Sequence, residues 1–135
     1  MVEWQTRRSQ KPLEIILRGG STPPLGTMVK PTLNELKDAT KKVADAMPNK
    51  NNWTIHTRLV ELMEEVGELA NAIQTDEGFK SKKRKKSEVV DSVCDTLFEL
   101  LLIADHYKID LDKEYPAVLK QIDDRRKSGE FDHEE

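Results

Sequence analysis

The chain has 135 residues, 36% of them apolar and 35% charged, with a formal net charge of −3. That is about one domain's worth of chain with a modest core, and its slight acidity singles out neither nucleic acid nor a membrane surface as a partner. A lone cysteine, Cys94, excludes an intramolecular disulfide and a cysteine-based zinc site; set among apolar neighbours, it reads as a small buried hydrophobe. No run approaches the ~18 continuous apolar residues of a membrane helix. Leu13 to Leu17, behind the pair Arg7-Arg8, is too short and mixed for an export signal. A soluble cytoplasmic protein is the expectation.

Residues 1–30 carry Gly19-Gly20, Pro23-Pro24 and Gly26 without a helical period, and read as a flexible tail. Met28 lies just before the first regular segment. A helical domain is expected over 31–127, followed by a charged tail over 128–135. Its first helix should run from about Thr32 to Met47, opened by a capping box of Thr32 and Glu35 and broken at Pro48. The second should span Thr54 to Thr75, with Leu59, Met63, Val66, Ala70 and Ile73 as its apolar stripe. Gly78 and the basic run Lys80 to Lys86 then read as a solvated loop. The third helix should begin at Ser87-Glu88 and reach about Lys108. From Leu97 to Ala104 it is apolar nearly all round, as in a helix buried in a bundle or at a subunit interface. A fourth helix, Leu111 to Arg126, should end at Gly129. There is no strand-like alternation and no internal repeat. The expected class is all-α, a four-helix bundle completed by oligomerisation.

Acidic residues fall in two stripes. Helix two carries Glu61, Glu64, Glu65 and Glu68, and Glu65 and Glu68 share a face at a spacing of three. Such a pair disfavours the helix unless a cation or basic partner lies between them. Helix three carries Glu88, Asp91 and Asp95 within a sector of about 60°. Asp95 stands at the entrance to the long apolar run, where a lone charge is costly. If the two helices pack antiparallel the stripes face each other, and hard oxygen donors of this kind suit Mg²⁺ or Mn²⁺ rather than zinc. The plainer reading, carboxylates on solvent-facing helix surfaces, is preferred for Glu61, Glu64 and Glu99.

Glu64-Glu65-Val66-Gly67-Glu68-Leu69-Ala70 resembles the "EEVGEL" motif of MazG-like nucleotide pyrophosphohydrolases, relatives of dCTP pyrophosphatases and dimeric dUTPases. In that family ExxE is followed, after a spacer, by ExxD. Glu65 and Glu68 match the first half. Asp95-Thr96-Leu97-Phe98, Ile103-Ala104-Asp105 and Ile109-Asp110-Leu111 are similar to the family's "DVL…LAD…GIDL" segment. Trp53 and His56-Thr57 resemble the tryptophan and histidine that precede its second helix, so the likeness spans about Thr32 to Arg126. One departure stands out. With Asp95 on the family aspartate, Ser92 falls where the glutamate of ExxD belongs, while Glu88 and Asp91 spell ExxD one turn early. Either Glu88 and Asp91 are the motif, or Asp91 replaces the glutamate and acts with Asp95; the downstream register favours the second. Lys120, Asp124 and Arg125 resemble a Lys…Asn-Arg pattern that binds nucleotide, with aspartate in place of asparagine.

The resemblance implies hydrolysis of a nucleoside triphosphate between its α and β phosphates. Glu65, Glu68, Asp91 and Asp95, with Glu88, would hold Mg²⁺ or Mn²⁺. Glu65, Glu68 and Asp95 would carry catalysis, and Trp53, Lys120 and Arg125 would bind substrate. A homodimer or homotetramer is expected, because four thin helices need cover. Two other readings compete with this one: a degenerate member that binds nucleotides without cutting them, and nucleic-acid binding through the 80–86 run, which lacks interleaved aromatics. A di-iron bundle needs two core Glu-x-x-His motifs, whereas Glu130 to His133 in the tail is the sole instance.

Overall fold

A computed structural model describes residues 30–48, 52–79 and 87–132. They form four helices, α1 (Leu33–Asp45), α2 (Ile55–Asp76), α3 (Ser87–His106) and α4 (Leu111–Lys127), and no strand occurs among the described residues. The expected tail over 1–29, the basic loop and the last three residues lie outside them.

Each start has a local cause. The Thr32 hydroxyl accepts from the Glu35 amide at 3.2 Å, and the Glu35 carboxylate accepts from the Thr32 amide at 2.8 Å, which closes the expected capping box. Thr54 caps α2 by accepting from the Thr57 amide, and Asp110 caps α4 by accepting from Lys113. The ends of α2, α3 and α4 share one device, in which a residue with positive φ lets two amides turn back onto the last carbonyls. At α2 it is Gly78 (φ 82), with Phe79 N–H donating to Gln74 O at 2.9 Å, and at α4 it is Gly129 (φ 78). At α3 it is Lys108 (φ 55), with Ile109 N–H donating to Ala104 O at 3.0 Å. A lysine there carries a steric cost that glycine avoids.

The principal packing joins α2 to α3, and α1 packs on α3 as well. Arg58 meets Glu99 while Glu65 faces Asp95, so the α2–α3 pair runs antiparallel. The buried core between these helices is four alanines and two leucines: Ala39 and Ala44 from α1, Ala72 from α2, and Leu101, Leu102 and Ala104 from α3. No described side chain is fully sealed from solvent. A core this thin supplies little stability by itself.

Two expectations about the stripes change. Leu59, Met63, Val66 and Ile73 face outward, with Met63 60% exposed. The inward face of α2 is instead Arg58, Leu62, Glu65, Leu69, Ala72 and Thr75. Cys94 is exposed rather than buried, on a side of α3 shared with exposed Val90, Val93 and Leu97. Both differences have one physical reason. The helices are apolar on two sides, and one chain covers only one of them.

The fourth helix has no buried residue. It is tied on by its N-terminus, where the Asn34 side chain donates to Asp110 at 2.8 Å and accepts from the Leu111 amide at 2.9 Å, and Lys37 donates to Ile109 O at 2.6 Å.

Candidate active site

Antiparallel packing turns the two acidic stripes toward each other. Glu65 lies on the inward face of α2, and its carboxyl is pushed from 4.5 to about 7. Burial is the main cause; repulsion from Asp95 across the pair follows, and then Glu68, Glu61 and Glu64 on its own helix. Asp95 therefore stands opposite Glu65. Asp91 precedes Asp95 by one turn of α3, and Glu88 lies in the first turn of that helix. Between Asp91 and Asp95 the inward position belongs to Ser92, which is buried and uncharged.

Glu99 is the residue that sequence reasoning placed wrongly. It is 7% exposed rather than solvent-facing. Its Oε1 lies 3.4 Å from the Arg58 guanidinium, and its Oε2 is buried with no hydrogen-bond partner. Burial raises its carboxyl, with Arg58 opposing and Glu61 adding to the shift. Two signals pointed to it: Glu99 follows Asp95 by one helical turn, and it interrupts an apolar run. Arg58 was not singled out either, although it stands one turn before Glu61.

Arg58 joins the acidic row to a cavity of about 420 Å³ between the ends of α1, α2 and α3. Its guanidinium lies 4.3 Å over the Trp53 ring. Lys41, Asp105 and His106 line the same space. Trp53 is thus brought to a cavity. Lys120 and Arg125 are not among its lining residues. Lys120 pairs with Asp124 at 2.5 Å; Arg125 holds Glu130 through two bonds, at 2.6 and 2.8 Å, and stacks on Phe131.

The model of the MazG nucleotide pyrophosphohydrolase domain matches residues 53–129, more than half of the chain. The chain belongs to this family. Neither the curated proteins nor the solved structures contain a match. The MazG match opens at Trp53 and takes in the carboxylates of α2 and α3 and all of α4. It leaves α1 outside, although α1 supplies core alanines and anchors α4. Membership of a family of nucleotide pyrophosphohydrolases marks the MazG domain, at that coarse level, as a hydrolase. No described helix is long and apolar enough to cross a membrane.

MazG-family pyrophosphohydrolases are generally divalent-metal dependent, and the donors here suit such an ion. Around Glu65 the charged neighbours are carboxylates, four of which repel it, a repulsion of the kind a divalent cation relieves. Among the described residues no three acidic, histidine or cysteine side chains already converge tightly enough to grip an ion.

Proposed function

We propose that the chain hydrolyses nucleoside triphosphates, canonical or modified, to the monophosphate and pyrophosphate in a Mg²⁺-dependent reaction (Mn²⁺ serving as well), as cytoplasmic house-cleaning of the nucleotide pool. The observation that carries this reading is the crowding at Glu65, which is set on the inward face of a MazG helix pair and repelled by Asp95 across it and by Glu68, Glu61 and Glu64 on its own helix. Carboxylates repel a triphosphate, so a site built of them accepts one only through divalent cations.

Glu65, Glu68, Asp91 and Asp95 would hold the cation, with Glu88 at the outer end of the row. Bound there, it supplies positive charge for the polyphosphate and eases attack by water. One carboxylate of the row not fully engaged with the cation, from among Glu65, Glu68 and Asp95, would take the proton of the attacking water. The Trp53 ring offers a stacking face for the base, and Arg58, fixed on that ring, adds a positive charge beside it. Lys120 and Arg125 would neutralise the leaving pyrophosphate from a neighbouring copy, since the bonds that tie α4 to α1 are at its N-terminus.

Association of copies, as a homodimer or homotetramer, is part of this reading. Leu59, Met63, Val66 and Ile73 on α2 and Val90, Val93, Leu97 and Leu100 on α3 are all exposed, more large apolar side chains than a lone helix pair has reason to leave in water. Gly67, mid-helix on α2, has nothing within 4 Å of where a Cβ would stand. A helix-interior glycine costs about 1 kcal/mol, and close approach of another copy gives it a purpose.

A second reading, nucleotide binding without hydrolysis, rests on Ser92, which contributes no charge to the seam. One experiment separates the two. The protein is incubated with a panel of canonical and modified nucleoside triphosphates, with Mg²⁺ or EDTA, and the products are resolved by ion exchange. Monophosphate plus pyrophosphate, formed only with metal and lost in Glu68→Gln, is the expected result. Diphosphate plus phosphate would mean that a different bond is cut. Nucleotide binding without turnover would favour the second reading, with Ser92→Glu as the variant to restore activity.

A further inference from the structure

We propose that Glu99 is a further ligand of the divalent-cation centre, held in the cation-free chain by Arg58, whose guanidinium takes the place of the ion. The inference rests on the metal-dependent reading above and extends its ligand set by one residue.

Position is the first argument. Asp91, Asp95 and Glu99 stand at successive i,i+4 steps along one face of α3, and the intervening inward residue, Ser92, brings no charge. Across the seam, Glu61 is close enough to both Glu65 and Glu99 to repel each. Glu99 therefore stands one turn past Asp95 on the same side of α3, with Glu61 across the seam between it and Glu65.

Incomplete compensation is the second. The Glu99 side chain is 9% exposed, yet Oε1 meets Arg58 only at 3.4 Å, and among the described residues Oε2 has no partner. An ion pair that served structure alone would satisfy both oxygens, because an orphaned buried carboxylate oxygen is costly. This chain shows what such a pair looks like: Arg125 grips both oxygens of Glu130 on the open surface. Glu99 instead keeps one oxygen for another partner, on a seam where the neighbouring groups are carboxylates.

The third argument is the position of the counter-charge. Arg58 lies against Trp53 at the edge of the 420 Å³ cavity. A cation that engages Glu99 frees Arg58 to face that space, where an anionic substrate meets it. Cation and substrate would then be acquired together.

The test is Mn²⁺ binding to the full-length protein, followed by the loss of the free-ion electron paramagnetic resonance signal, with circular dichroism confirming fold. Glu99→Gln should weaken Mn²⁺ about tenfold, and Arg58→Gln, which removes a competing positive charge, should tighten it. Glu65→Gln should abolish binding. If Mn²⁺ binds wild type and is lost in Glu65→Gln, but Glu99→Gln and Arg58→Gln both leave affinity unchanged or both weaken it, Glu99 is a structural partner of Arg58 and this inference falls alone. If wild type binds no Mn²⁺, the metal-dependent reading falls with it. Should Glu99→Gln fail to fold, Arg58→Gln decides: tighter binding supports the ligand role and unchanged or weaker binding overturns it.

Discussion

Helices α2 and α4 both carry carboxylates one turn apart, and the chain treats them in opposite ways. On α4 each acidic group meets a base or an amide. Asp123 is held below its usual range by hydrogen bonds from Lys127 and Arg126, Glu130 by Arg125, and the capping Asp110 by Asn34. On α2, Glu65 is raised to about 7 because burial and four like charges disfavour its anion. Satisfied charge of the first kind at an open surface adds little stability. Unsatisfied charge of the second kind opposes folding, and its presence on the best-packed seam of the molecule argues that it serves a ligand.

The sharpest way to break this contrast is Glu65→Gln. Pyrophosphohydrolase activity should fall by on the order of 100-fold or more, while the metal-free protein melts higher at pH 8 because a repelled charge is gone. A loss of activity accompanied by a lower melting temperature would place Glu65 among ordinary structural residues. Next in size is Leu97→Glu on the uncovered side of α3. It should convert the proposed oligomer to monomer in sedimentation, at little cost to helix content; an unchanged sedimentation coefficient would leave the apolar stripes without their proposed cover.

Much of this was legible beforehand, for physical reasons. Helix boundaries follow from local chemistry: Thr32 with Glu35 and Gly129 act where the sequence pattern placed them, while Thr54, read as the first helical residue, is a cap, and Gly78, read as loop, ends α2. The facing of Glu65 and Asp95 was legible as well, once antiparallel packing was assumed. What stayed hidden depends on which of two apolar sides a helix buries. Leu59, Met63, Val66 and Ile73 form a regular stripe, but regularity does not say whether the same chain or another covers it, and Cys94 was misread for that reason. Glu99 was hidden because a charge in an apolar run reads as a solvent-facing exception until its burial is seen.

Two smaller effects sharpen the α4 side of the comparison. Asn34→Ala removes the bonds to Asp110 and Leu111 and should cost about 1–2 kcal/mol, with faster amide exchange confined to α4. Lys108→Gly should stabilise by roughly 0.5–1 kcal/mol, since glycine takes the φ of 55 at the end of α3 without strain; denaturant melts would show it as a higher midpoint with the slope unchanged.

The central claim is that repulsion along the α2–α3 seam is what a divalent cation relieves, and melting temperature against pH, in EDTA and in Mg²⁺, tests it most directly. Glu65 is raised on folding, so its contribution is fully present below 4.5 and is lost as pH rises through about 7; Glu99 acts in the same direction. Asp110, Asp123 and Glu130 are lowered, so what they contribute is lost only in more acidic solution. In EDTA the melting temperature should therefore fall between pH 4.5 and pH 7, and Mg²⁺ should restore it at pH 8. A curve that is flat or rising over that range, and indifferent to Mg²⁺, would contradict the account.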